Sequence, residues 1–128
     1  MSDVVVDTSV WIEFLAGRPA VRMEAALAAG AVVVPPIVVA ELVSGARAGR
    51  ERTALVAVLR DLEIHETPFD HWVRVGELRK RLSRQGEAIS TPDAHVVQCA
   101  LDRGALLLSR DRVFARVARH EPLHVELA

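Results

Sequence analysis

The chain has 128 residues, which fits one domain spanning 1–128, and 51% of them are hydrophobic, enough to bury a sizeable core. The net charge of −1 excludes attraction of nucleic acid by overall charge, and the aromatic content of 4% argues against a single-strand binder that stacks bases. The single cysteine excludes an internal disulfide and a cysteine-rich zinc site.

Short apolar runs alternate with longer stretches of helical periodicity. The apolar runs predict strands over 4–7, 31–34, 63–65, 105–108 and 123–125. The periodic stretches predict helices over 9–15, 20–29, 36–48, 50–62, 70–84, 92–103 and 112–119. Ser9 is predicted to cap the first helix, and Gly30 and Gly104 to end the second and the sixth. The β-branched run 37–39 could also extend a strand, but i, i+4 spacing favours a helix there.

This alternation predicts an α/β fold, a three-layer α/β/α sandwich with a central, mainly parallel sheet. In such sheets ligands bind at the carboxyl ends of the strands, where the strand order reverses. Asp7 and the segment 109–111 directly follow predicted strands. We therefore expect both to lie at that edge of the sheet.

Four carboxylates interrupt apolar surroundings, and these are Asp7, Glu41, Asp93 and Asp111. Isolated acids are rarely buried without a partner, and the natural partner of converging carboxylates is a hard cation such as Mg²⁺ or Mn²⁺. Such ions activate water and stabilise the leaving oxygen in phosphodiester cleavage. The hydroxyls of Thr8 and Ser9 could orient Asp7 or a water molecule. The four acids together predict a metal-dependent catalytic site.

Each acid also has a simpler explanation. Asp7 and Asp111 could cap helices, and Asp93 could interact with the dipole at the start of its helix. Glu41 is harder to explain, because it is expected on the apolar face of its helix. A salt bridge to Arg47 or Arg50 is its alternative role. When each acid is considered alone, its position at the start of a helix explains Asp7, Asp93 and Asp111. When the three are considered together with Glu41, a metal site is the better explanation.

The remaining candidates are weaker. The histidines are scattered, and surface or packing roles are expected for them; they are His65, His71, His95, His120 and His124. His95 and Asp93 are two residues apart and should point away from each other. Cys99 is expected to be a small buried hydrophobe, and Trp11 and Trp72 to anchor the core or an interface.

Hydropathy and the first residues of the chain indicate where the protein is located in the cell. A membrane-spanning helix needs about 20 apolar residues, and no apolar run in the sequence approaches this length. The first residues, Met1-Ser2-Asp3, lack the basic region of a secretory signal. We therefore expect a cytoplasmic protein with no membrane contact. Lys80 is the only lysine, so RNA contacts would use a local patch of arginines.

The acidic motifs resemble those of PIN-domain ribonucleases of the VapC toxin type. The matching segments are Val-Val-Val-Asp-Thr-Ser-Val-Trp-Ile at 4–12, Val-Ala-Glu-Leu at 39–42, Thr-Pro-Asp-Ala at 91–94 and Leu-Ser-Arg-Asp-Arg-Val-Phe at 108–114. The resemblance spans nearly the whole chain. Asp7, Glu41, Asp93 and Asp111 match the family's acidic quartet, and Ser109 matches its usual hydroxyl near the last acid. Val113 departs from the polar residue that many relatives have there.

The resemblance implies a Mg²⁺- or Mn²⁺-dependent endoribonuclease, the toxin of a type II toxin–antitoxin pair. It also implies a VapB-like antitoxin and a homodimer or toxin–antitoxin hetero-oligomer. We expect the antitoxin to place an amphipathic helix in an apolar groove formed by Val10, Trp11, Phe14, Ala26 and Leu27 with the segment 37–43. The alternative is that these side chains face the core, which we expect for about half of them.

Two other classes of function compete with the nuclease. One is a catalytically silent PIN-like module that binds RNA or a protein, which the intact quartet disfavours. The other is a phosphoaspartate receiver or phosphatase. A haloacid-type phosphatase needs an acid where Ser9 stands, and a receiver needs a lysine at a late strand end, whereas Lys80 lies in a helical pattern.

Overall fold

A parallel sheet of five short strands forms the centre of the protein, as seen in a computed structural model that describes residues 2–128. The strands are β1 (Val4–Val6), β2 (Val32–Val34), β3 (Glu63–Ile64), β4 (Leu106–Ser109) and β5 (His124–Leu127). The helices are α1 (Thr8–Leu15), α2 (Val21–Ala28), α3 (Pro36–Gly45), α4 (Arg50–Arg60), α5 (Phe69–Arg84), α6 (Thr91–Arg103) and α7 (Val113–Val117). This architecture confirms the predicted α/β fold. No helix within residues 2–128 is both long and apolar enough to cross a bilayer.

The strand order is β3-β2-β1-β4-β5, and all neighbouring strands are parallel. The chain builds β1, β2 and β3 outward in one direction, then returns to place β4 and β5 on the other side of β1. The order therefore reverses between β1 and β4, which pair with Val6 opposite Leu108. A crevice at the carboxyl ends of these two strands is the expected ligand site of such a sheet.

Helices cover both faces of the sheet. Every residue of β1 and β2 is buried although successive side chains point to opposite faces, so both faces are covered. Helix α6 packs against β1 and β4, and α5 packs against α6. All seven residues from Ala94 to Ala100 are consequently buried. A helix enclosed in this way positions its polar residues only against other protein groups, which makes each of them a candidate for a specific role.

Most predicted boundaries agree with the structure within three residues. Gly30 and Gly104 adopt φ angles of 65° and 60°, the left-handed conformation expected just after a helix. The run 37–39 is helical, because Pro36 starts α3 and blocks continuation of β2. Helix α3 ends at Gly45 rather than 48, because Ala46 is extended with ψ of 145°.

Three of the five N-terminal side chains predicted for the partner groove lie in the core, which is the alternative expected for about half of the set. Val10 and Trp11 are 2% and 0% exposed, and Ala26 is equally buried, so these side chains belong to the core. Phe14 packs edge-on against Trp11, with ring centroids 6.2 Å apart. The apolar groove of the structure lies instead beside α3, α4 and β3, and it is lined by Pro36, Val39, Val56, Leu59, Arg60 and Ile64.

Three of the five histidines, which are scattered in the sequence, lie together in the interior, whereas His120 and His124 are exposed. His65, His71 and His95 come together between the end of β3, α5 and α6, and all three are buried. Cys99 and Asp102 on α6 complete this group, which we call the histidine cluster. The expectation that Cys99 is buried is confirmed, since it is 0% exposed.

Candidate active site

The crevice between β1 and β4 brings together residues that are about one hundred positions apart in the sequence. Asp7 directly follows β1, and its backbone N–H donates to the Leu108 carbonyl at 2.9 Å. Ser109 ends β4 beside it, and Asp111 follows two residues later. Asp7 is 9% exposed and Ser109 is 0% exposed. The parallel pairing of the two strands therefore fixes the base of the site.

Two hydroxyls hold the carboxylate of Asp7. Ser9 Oγ donates to Asp7 Oδ2 at 2.8 Å, and Ser109 Oγ donates to the same oxygen at 3.0 Å. Ser9 Oγ also accepts the N–H of Arg110 at 3.0 Å, and Ser109 Oγ accepts the N–H of Asp111 at 2.9 Å. These four bonds tie the loop after β4 to the start of α1.

Ser9 does not cap the first helix, which corrects the prediction. Helix α1 begins at Thr8, and Asp7 occupies the capping position with extended backbone. The Asp7 carboxylate makes no capping hydrogen bond there. The capping explanation of Asp7 is therefore wrong, and its side chain faces Ser9 and Ser109 instead.

Glu41 reaches the site from α3. It is solvent-exposed, whereas its neighbours Val38 and Leu42 are buried, so the expectation that it lies on the apolar face of the helix is wrong. Its Oε1 accepts a hydrogen bond from Thr8 Oγ1 at 2.7 Å. Within residues 2–128 it forms no ion pair with Arg47 or Arg50. Thr8, which follows Asp7 in the chain, thus orients the Glu41 carboxylate.

Asp93 lies in the first turn of α6, and its backbone N–H donates to the capping hydroxyl of Ser90 at 3.2 Å. The pKa of Asp93 is raised, first by burial and then by the negative charges of Asp7, Asp111 and Glu41, while a hydrogen bond with Ser90 acts in the opposite direction. The three like charges act on Asp93 because the four acids share one region, as the sequence predicted.

Asp111 retains part of its capping explanation. Its Oδ1 accepts the backbone N–H of Val113, the first residue of α7, at 3.0 Å. One carboxylate oxygen therefore stabilises the turn that leads into α7. The backbone of Asp111 is nevertheless held next to Asp7 through Ser109, and its Oδ2 makes no capping bond among the described residues, so a capping role and a role in the site are compatible.

The donor set is composed of oxygen atoms alone. Four carboxylates and the hydroxyls of Thr8, Ser9 and Ser109 line one edge of the sheet. Oxygen donors suit Mg²⁺ and Mn²⁺ rather than zinc, which prefers nitrogen and sulfur. A bound cation would also relieve the repulsion that raises the pKa of Asp93. The residues present therefore fit a hard divalent ion.

Sequence reasoning missed the role of Ser90. The residues 90–93 read Ser-Thr-Pro-Asp, a spacing typical of a helix start in which the first hydroxyl caps the fourth residue. This pattern was available from the sequence. It shows that Asp93 is placed by the cap of α6, with its carboxylate left for the site.

Comparisons with known proteins support the same fold. The model of the PIN domain family matches residues 4–120. Ribonuclease VapC2 of Haemophilus influenzae is 31% identical over 123 residues, which cover 91% of this chain and 93% of that protein. The structure of VapBC2 from Rickettsia felis, bound to a DNA fragment from their promoter, matches at a TM-score of 0.78 and 21% identity over 97% of each chain. DNA-bound VapBC from Salmonella typhimurium matches at 0.78 and 22% identity over 98% of each chain.

Proposed function

The chain belongs to the PIN-domain family and to its VapC ribonuclease branch, and from this premise we propose that it is a Mg²⁺- or Mn²⁺-dependent endoribonuclease. We further propose that it acts as the toxin of a type II toxin–antitoxin pair in the cytoplasm. The named relative is a ribonuclease, and the similar solved structures are VapBC complexes.

The convergence of four carboxylates at one sheet edge is the observation that supports this activity most directly. Asp7, Glu41, Asp93 and Asp111 would hold the ion or ions. When bound, the ion supplies a water of lowered pKa and balances the negative charge of the scissile phosphate. Burial and the charges of the other three acids raise the pKa of Asp93, and a bound cation would stabilise its ionised form.

The hydroxyls of the site keep the carboxylates in place before substrate arrives. Ser9 and Ser109 both donate to Asp7 Oδ2, so rotation of that carboxylate would break two hydrogen bonds. The hydrogen bond from Thr8 restricts rotation of the Glu41 carboxylate in the same way. A site held by its own hydrogen bonds needs little rearrangement when it binds its ligands, which favours catalysis.

Two arginines are well placed to bind the RNA backbone. Arg110 and Arg112 flank Asp111, and both are exposed. Neither forms an ion pair within the described part of the chain. A guanidinium pairs with phosphate through two donors, so these residues would hold the phosphates next to the carboxylates. They form the local arginine patch that a chain of net charge −1 requires.

We assign the antitoxin to the groove beside α3 and α4. Val39, Val56, Leu59 and Ile64 give this groove an apolar floor, and α3 also carries Glu41. An amphipathic helix from a VapB-like partner would bury its apolar face there. A basic side chain from that partner could then reach the carboxylates and compete with the metal. Size-exclusion chromatography with light scattering would distinguish a toxin homodimer from a hetero-oligomer.

RNA cleavage by matched variants tests the catalytic assignment. We expect Asp7→Asn and Asp93→Asn to lower cleavage by at least roughly 100-fold, because loss of a metal ligand removes several kcal/mol of transition-state stabilisation. Asp61→Asn, which neutralises an exposed acid after α4, should cleave like the unmodified protein. Circular dichroism would verify folding of each variant. RNA binding without any cleavage in Mg²⁺ or Mn²⁺ would instead favour the catalytically silent module.

A further inference from the structure

The histidine cluster contains three nitrogen and sulfur donors that converge from separate parts of the fold. His65 follows β3, His71 lies on α5 and Cys99 lies on α6. One potential ligand atom from each lies within 4.8 Å of the other two, and all three residues are buried. We propose that His65, His71 and Cys99 form a second metal site, which binds a borderline-soft divalent ion such as Zn²⁺ and is separate from the acidic site.

The donor chemistry selects this class of ion. Imidazole and thiolate suit Zn²⁺, whereas Mg²⁺ and Mn²⁺ prefer the oxygen donors of the acidic site. Zn–N bonds of about 2.0–2.1 Å and a Zn–S bond of about 2.3 Å place tetrahedral ligand atoms roughly 3.3–3.8 Å apart. From separations of up to 4.8 Å, the donors of the cluster therefore need to approach one another by at most about 1–1.5 Å, which side-chain rotation can supply.

Asp102 gives the site a negative charge and an outlet to solvent. Its Oδ2 lies 3.2 Å from His71 Nδ1 and 3.9 Å from His65 Nε2. The side chains of His65 and Asp102 are 11% and 17% exposed, so an ion can enter past them. Nearby positive charges are already paired, since Arg74 binds Asp102 and Arg103 binds Asp3 at 2.9 Å. Both Asp102 oxygens already accept hydrogen bonds from Arg74, Gln98 and His71. When His71 Nδ1 gives up its proton to bind the ion, Oδ2 loses one of these bonds and can act as the fourth donor.

One buried nitrogen of the cluster has no partner. His65 Nδ1 is buried and forms no hydrogen bond within residues 2–128. Burial lowers the pKa of His65, so the imidazole is neutral at neutral pH and has a free lone pair. Buried polar atoms without a partner are uncommon in native proteins. An ion bound at Nδ1 would give this atom a partner, and the ring must then turn Nδ1 toward Asp102, because Nε2 is the nitrogen that lies 3.9 Å from Asp102 Oδ2.

A continuous hydrogen-bond chain explains how the site releases a proton when it binds the ion. Without metal, Cys99 S–H donates to His95 Nε2 (3.8 Å), His95 Nδ1–H donates to His71 Nε2 (2.8 Å), and His71 Nδ1–H donates to Asp102 Oδ2 (3.2 Å). This arrangement contains three mobile protons.

With metal, His71 Nδ1 binds the ion and the chain reverses. His71 Nε2–H donates to His95 Nδ1, and His95 Nε2–H donates to the Cys99 thiolate, which also binds the ion. Two protons remain in the chain and one is released to solvent. His95 thereby stabilises both ligands without binding the ion itself, a common role for residues around a metal site.

Titration of the chelator-treated full chain with Co²⁺, followed by Zn²⁺ competition, tests this site. We expect one Co²⁺ per chain to give a near-ultraviolet thiolate-to-metal absorption band, and Zn²⁺ to displace this ion; Co²⁺ bound at the acidic site would give no such band. Cys99→Ser should abolish the band, and His65→Asn should weaken Co²⁺ binding by more than roughly 100-fold, because even residues outside the ligand shell change affinity 10–100-fold. His65 lies at the edge of the cluster, so its replacement should disturb folding less. If Cys99→Ser does not fold, the Co²⁺ affinity of His65→Asn still tests the site.

Two controls separate the site from other metal binding. His120→Asn replaces an exposed histidine and should bind Co²⁺ like the unmodified protein. Asp7→Asn alters the acidic site and should keep the thiolate band. Absence of the band in the unmodified protein, or unchanged Co²⁺ affinity in folded His65→Asn, would overturn the proposal. Neither outcome affects the nuclease assignment, since the two sites share no proposed ligand.

Discussion

Replacing Ser109 with alanine would test whether the hydroxyls hold the acidic site together. Ser109 Oγ donates to Asp7 Oδ2 at 3.0 Å and accepts the N–H of Asp111 at 2.9 Å. A hydrogen bond to a charged group contributes about 1.5–3 kcal/mol, and a neutral one about 0.5–1.5 kcal/mol. Asp7 keeps its bond from Ser9, and water can reach the exposed Asp111, so we expect a net destabilisation of about 2–3 kcal/mol.

Chemical denaturation and thermal melting would measure this effect. For a chain of this length, 1 kcal/mol shifts Tm by roughly 4 °C, so Ser109→Ala should melt about 10 °C lower. Ser83→Ala is the matched control, because Ser83 is exposed on α5 and its change should leave stability within about 0.5 kcal/mol. Unchanged stability together with unchanged RNA cleavage in Ser109→Ala would refute the role assigned to this hydroxyl.

Four further outcomes are expected. Mn²⁺ at ten times its Kd should stabilise the native protein by about 1.4 kcal/mol, and the gain should shrink in Glu41→Gln, as thermal melting would measure. Trp11→Ala should lose about 3–5 kcal/mol in denaturant titrations, because Trp11 is 0% exposed. Arg112→Ala should raise KM for RNA more than it lowers kcat, with Arg119→Ala as the control in the same assay. Val39→Asp should weaken capture of the co-expressed antitoxin in pull-downs while cleavage is retained.

The sequence predicted the fold because its local signals agree with the global arrangement. The run Val4–Val6 is apolar on both faces, which only an interior strand of a covered sheet allows. Pro36 and Gly104 mark helix ends by backbone chemistry that does not depend on tertiary contacts. Because Asp7 and Asp111 both follow parallel strands, their proximity at the carboxyl edge of the sheet can be predicted without side-chain positions.

The details of the acidic site required tertiary information. Serine is a residue type that often caps helices. In the fold, however, the Ser9 hydroxyl lies beside the hydroxyl of Ser109, 100 residues later, and donates to Asp7. Glu41 was assigned to an apolar face because its helix is apolar around it; the face it occupies depends on how α3 packs against α1. Neither packing angle nor register between distant helices follows from local periodicity.

The histidine cluster was missed for a related reason. Metal sites are recognisable in sequence when ligands repeat at short spacing, as in zinc fingers. His65, His71 and Cys99 lie on three different elements and show no such spacing. The packing of α5 on α6 brings His71 to Cys99, and His65 joins them from the end of β3. Trp72 stacks on His95, with ring centroids 4.7 Å apart, and remains partly exposed. Trp72 is therefore an anchor at the surface of the interface between α5 and α6.

Helix α6 connects the two donor sets and keeps them chemically apart. Asp93 in its first turn contributes oxygen atoms to the acidic site, whereas His95, two residues later, points to α5 and contacts His71. Residues at i and i+2 lie on different sides of a helix, so the backbone of α6 separates the two environments. Hard ions prefer the carboxylates and softer ions the imidazole and thiol, so on our proposals each set would bind a different metal. A zinc ion bound among His65, His71 and Cys99 would therefore fix α6 against α5 while leaving the oxygen donors of the acidic site available to Mg²⁺ or Mn²⁺.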